Sequence, residues 1–104
     1  MTLAEILQKC KSILENHYRS RFRGLVLFGS AARGEAGPES DIDLLVLLDR
    51  PDDYFGELRT IVDLLYPVQL ESDRLISAKP APADDFDQGR TPLYRIAQRE
   101  GVRW

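Results

Sequence analysis

The spacing of hydrophobic positions changes along the chain, and each change marks an element. From residue 2 to about 18 they fall at Leu3, Ile6, Leu7, Cys10, Ile13, Leu14 and Tyr18, with Lys, Gln, Glu and Ser between them. That three-and-four spacing puts one apolar stripe on an α-helix. Thr2 and Glu5 have capping-box spacing at its start. Two nearly continuous apolar runs follow, at about 24–28 and 41–48, and both read as buried strands. Between them, Gly29-Ser30 makes a turn and a short helical segment begins. Gly34 ends that segment by taking a left-handed conformation, and Pro38 keeps the loop after it from continuing as helix.

The second half is more broken. Asp49-Arg50-Pro51-Asp52-Asp53 combines a break with a helix start. The predicted helix buries Phe55, Leu58, Ile61, Val62 and Leu65, and Pro67 ends it. Residues 68–77 read as a third strand and 78–82, with Pro80 and Pro82, as an extended connector. Residues 84–89 make a loop or a single helical turn. Thr91 as N-cap and Pro92 at the first position restart a helix, with Leu93, Ile96 and Ala97 facing inward and Gly101 stopping it. A short edge strand is expected at 102–104, where Trp104 is either a core plug or a partner contact. The pattern is that of an α/β chain with a sheet of three to four strands and helices packed on it.

The length of 104 residues suits one domain, 1–104, with a modest core. No apolar run approaches the ~20 residues of a membrane span and no signal-peptide pattern opens the chain, so a cytoplasmic protein without membrane contact is expected. Cys10 has no second cysteine to pair with and reads as a small core residue. His17, the only histidine, reads as a helix C-terminal residue, favourable there when charged. The net charge of −3 argues against tracking a long nucleic acid, which calls for a basic surface. The cluster Arg19, Arg21, Arg23 reads as a solvated face. A small-molecule or protein acceptor fits this balance better.

The candidate chemistry lies at the junction of the two strong strands. Asp41 and Asp43 are two residues apart, so on a strand both carboxylates leave the same face. Two like charges held together repel, and a hard divalent cation with oxygen ligands is the usual compensation. Gly29 lets the backbone approach a ligand closely. The exposed N–H groups after it and the Ser30 hydroxyl favour an anion. A Gly-Ser junction alone is most often a turn and N-cap, and a lone Asp-x-Asp is often a solvated strand edge. Their order and short separation make the combination specific to a nucleoside triphosphate.

Gly29-Ser30-Ala31-Ala32-Arg33-Gly34, followed by Ser40-Asp41-Ile42-Asp43-Leu44-Leu45-Val46, resembles the signature of the polymerase-β-like nucleotidyltransferase superfamily. The small size resembles its minimal (MNT) branch, whose members pair with HEPN-domain proteins. The resemblance implies a small mixed sheet and transfer of a nucleoside monophosphate, AMP from ATP, to a hydroxyl. It implies Asp41, Asp43 and a third carboxylate as catalytic residues and ligands of two Mg²⁺ ions, Mn²⁺ being the other candidate. The third carboxylate is expected at Asp73, with Glu71 as the alternative. Gly29 and Ser30 would hold the phosphates, and Arg33 either steadies them or makes a surface salt bridge. The resemblance further suggests an antitoxin that modifies a tyrosine of a HEPN toxin, in a homo- or hetero-oligomer. The alternative is an inert nucleotide-binding module that masks its partner by contact alone.

Overall fold

A computed structural model of the chain describes residues 1–34, 37, 40–51 and 53–104. Helix α1 spans Leu3–Tyr18 and carries the expected capping box: Thr2 Oγ1 accepts the Glu5 N–H, and Glu5 returns the bond to the Thr2 N–H, both at 3.1 Å. A 3₁₀ turn, Arg19–Arg21, leads into β1, Phe22–Phe28. Strand β2 spans Ile42–Leu48, helix α2 Tyr54–Glu71, and strand β3 Ile76–Pro82. Helix α3 is Ala83–Asp87, α4 is Pro92–Glu100, and β4 is Val102–Arg103. The sheet runs β3-β2-β1-β4 and is mixed: β1 pairs antiparallel with β2 and β4, whereas β2 and β3 are parallel through α2.

Strand parity divides the core. Ile42, Leu44, Val46 and Leu48 point to one face with Leu25 and Leu27, beneath α1 and α2. Leu45 and Leu47 point to the other with Val26, Ala81, Phe86 and Ala97, beneath α3 and α4. Covered on both faces, β2 is apolar at every position from Leu44 to Leu48. Asp43 has the parity of the α3/α4 face, and that orients the site.

Three sequence expectations are corrected. Pro67 does not end α2, which runs on to Glu71. Pro67 lies on the solvent side, where a helix tolerates the loss of one backbone donor. Phe55 and Val62, expected inside, are exposed, and Ile61, Leu65 and Val68 form the buried face. The third strand is accordingly not 68–77 but Ile76–Pro82, keeping only the last two residues of the expected strand and taking in the 78–82 stretch read as a connector. The Ile76 N–H points away from β2, to Gln69 Oε1 at 2.7 Å. Pro80 and Pro82 share its parity, so the donors they lack are not ladder donors, which is how a strand tolerates proline at an edge.

Helix α4 also turns otherwise than expected. Ala97 is buried and Tyr94 packs on Phe86, while Leu93 and Ile96 are exposed. Thr91 does cap it, accepting the Tyr94 N–H, and Gly101 follows its last residue. Trp104 packs against the α1/α2 core, and its N–H donates to the Leu25 carbonyl at 2.7 Å, so it acts as a plug.

Arg21 of the basic cluster donates to Glu57 and, at 3.3 Å, to the Asp49 carbonyl, while the Tyr18 hydroxyl donates to the same Glu57 at 3.3 Å. Arg19 and Arg23 face solvent. Cys10 is fully enclosed, and burial pushes its thiol up to about 11. A disulfide-exchange reagent is expected to leave it untouched in the native protein and to titrate one thiol per chain after denaturation. Native-state labelling would show the α1 packing to be looser than described.

Candidate nucleotidyl-transfer site

Phe28 at the end of β1 pairs with Asp43 near the start of β2. The residue after Phe28 is therefore delivered against the Asp43 side chain. That residue is Gly29, with φ +75°, and a methyl group built on it would lie 2.5 Å from Asp43 Oδ2. Only glycine combines this dihedral with this approach. The chain then makes one helical turn, with the Arg33 N–H on the Gly29 carbonyl at 3.2 Å, and Gly34 exits it at φ +73°. The expected short helix is thus one turn, ended by a left-handed glycine. Ser30 opens that turn, half-buried.

Asp41 stands just before β2 and is exposed, whereas Asp43 is half-buried. Burial pushes the Asp43 carboxyl above its ordinary value of 3.8, the nearby Asp41 charge pushes it the same way, and Lys79 opposes both. The two carboxylates therefore share one electrostatic environment beside the glycine bend. The Ser40 hydroxyl accepts the Gly37 N–H at 3.0 Å, and its carbonyl accepts Arg74 Nε at 2.8 Å.

Because the folded state holds the Asp43 proton more tightly than the unfolded chain, that proton stabilises fully below 3.8 and the benefit disappears as pH rises through the raised value. At neutral pH the ionised group costs stability. Carboxyl NMR titration of the free protein should place Asp43 above 3.8, and Asp41→Asn should bring it down part of the way, since burial stays. An unchanged Asp43 titration in that variant would show that the two carboxylates do not interact.

The third carboxylate is not where the sequence put it. Asp73 lies in the bend between α2 and β3 and is exposed, and Glu71 is the last residue of α2, ion-paired with Lys9 at 3.0 Å. Neither is on a strand. Among the described residues no group of three His, Cys, Asp or Glu side chains is arranged to hold a metal. The strand position paired with Asp43 is Ser77. Arg33 turns toward α4, with Nη1 3.4 Å from Glu100 Oε2, so the surface salt bridge weighed from sequence is formed. Sequence reasoning missed Arg74, which ties Ser40 to the α2–β3 bend, and Lys79, on the Asp43 face of β3. Lys79 was hidden because its strand carries two prolines.

A β-strand ending in a glycine-serine bend, set against paired aspartates on a mixed sheet, defines a nucleotidyltransferase. The nucleotidyltransferase domain family model matches residues 4–86, and the chain belongs to that family, with its polymerase-β-like fold. It is similar to the Methanocaldococcus jannaschii protein named "Putative protein adenylyltransferase MJ0604", 36% identical over 83 residues that cover 76% of this chain and 83% of that one. A second protein of that organism with the same description, MJ1379, is 42% identical over 65 residues, covering 61% of this chain and 62% of its own length. Spectinomycin 9-adenylyltransferase of Enterococcus faecalis is 29% identical over 100 residues, 96% of this chain but 35% of that enzyme. Among the described residues no helix is long and apolar enough to cross a membrane.

Proposed function

We propose that this chain transfers AMP from ATP to a hydroxyl of a partner protein, a tyrosine of a HEPN-domain toxin, and acts in the cytoplasm as its antitoxin. The observation that carries the reading is the meeting of Asp43 with Gly29, which sets a glycine-serine bend directly against paired carboxylates. The descriptions of the archaeal relatives support adenylyl as the group and protein as the acceptor. Exposed apolar side chains support a protein partner: Phe55, Val62, Tyr66 and Leu70 on α2, and Leu93 and Ile96 on α4, face outward, and clusters of this kind mark interaction surfaces.

In the proposed reaction the acceptor oxygen bonds to the α-phosphorus while the bond to the bridging oxygen breaks, and pyrophosphate leaves. Asp41 and Asp43 would hold a divalent ion, Mg²⁺ or Mn²⁺, which when bound acidifies the attacking hydroxyl and offsets phosphate charge. The donor set fits, because two carboxylates in one environment, one of them half-buried, suit a hard cation. Gly29 would let the backbone lie close to the carboxylates, and Ser30 would offer its hydroxyl and N–H to a phosphate at the start of the turn. Two ions held by Asp41, Asp43 and Asp73 do not fit, because Asp73 lies off the strand.

That displacement favours a second reading, in which the chain neutralises its partner by contact alone. Incubation with labelled ATP, Mg²⁺ and a HEPN-domain protein from the same organism tests both. Label on the partner, lost with Asp41→Asn, supports transfer. No label with intact binding leaves the contact reading.

A further inference from the structure

Resting on that reading of the site, we infer that Lys79 is a third wall of the nucleotide pocket and contacts the triphosphate directly. The argument begins with register. Strand β3 lies parallel to β2 with Ser77 paired to Asp43 and Lys79 to Leu45. Ala81 packs with Leu45 and Leu47, so by parity Ser77, Lys79 and Ala81 all leave the sheet on the Asp43 face. Lys79 is therefore one strand over and one same-face step along from Asp43, within reach of a four-carbon stem.

Its surroundings say what the ammonium is for. Lys79 is exposed, and no hydrogen bond or ion pair holds it among the described residues. Lys9, Arg21, Arg33, Arg90 and Arg103 are each ion-paired with a carboxylate. A cation held in no ion pair, one strand over from paired aspartates, is placed for an anion larger than a carboxylate. Ser77, the residue of β3 paired with Asp43, is small and neutral. A metal-bound polyphosphate suits that combination of charges.

The test separates charge from shape by counting phosphates. Fluorescent ATP and AMP analogues are titrated into the wild-type chain, Lys79→Met and Lys79→Arg, with Mg²⁺ and with EDTA. Lys79→Met is expected to weaken ATP about tenfold, the effect of ~1.4 kcal/mol, to leave AMP within about twofold, and to melt with the wild type. Lys79→Arg should recover most of the ATP affinity. Equal ATP affinity in Lys79→Met and wild type overturns the inference while the nucleotide site stands. Equal weakening of ATP and AMP overturns it too, because the loss is then of shape. A wild-type chain that binds neither nucleotide defeats the functional reading and this inference with it.

Discussion

Asp43→Asn is expected to fold, to melt no lower than the parent at neutral pH, and to lose AMP transfer by a factor of about 100 or more. Disturbing a group that merely supports a metal ligand typically costs 10–100-fold, so loss of a ligand itself costs at least the upper end. The stability half follows from the raised carboxyl: burial and Asp41 make the ionised form unfavourable in the folded state, and a neutral amide of the same shape removes that cost. Thermal melts at pH 7 and transfer assays on one preparation check both. A variant that melts well below wild type would show that Asp43 is a structural anchor.

The second large effect is expected at Gly29. Gly29→Ala forces an alanine to φ +75° and sets its methyl 2.5 Å from Asp43 Oδ2. Strain of this kind costs about 1–3 kcal/mol, and the carboxylate has to turn aside as well. Transfer should fall about as far as in Asp43→Asn, with a lowered melting temperature that Asp43→Asn lacks. Gly34→Ala is the control. It shares the left-handed backbone, φ +73°, but its added methyl meets nothing within 4 Å among the described residues. A modest stability loss of ~1 kcal/mol with transfer retained is expected there. If both variants lose transfer equally, backbone strain and not the approach to Asp43 governs the site.

What the sequence made legible was local. Thr2 and Glu5 announce α1 because a capping box is closed within four residues, and the apolar run after Asp43 announces β2 because both its faces are covered. The meeting of Gly29 and Asp43 was readable because the antiparallel ladder of β1 and β2 brings them together with few alternatives. The third strand was not legible. Pro80 and Pro82 look like breakers until it is known that their nitrogens face away from β2, which is a tertiary fact. Starting the strand eight residues too early put Val68 and Glu71 on it instead of in α2, and carried Asp73 into the site. The inward face of α4 was misjudged for a related reason. Leu93 and Ile96 are more apolar than their neighbours, yet the helix turns Tyr94 and Ala97 toward Phe86.

The same two prolines bear on how the molecule avoids its own kind. A sheet margin is a template for amyloid-like growth when it presents a row of free amide donors to another chain. On β3 that row is interrupted at Pro80 and Pro82, and the Ile76 amide is already occupied by Gln69. An incoming extended segment would find too little to grip. Sheet-to-sheet stacking at this margin is suppressed by composition alone, and association is left to the helical surfaces.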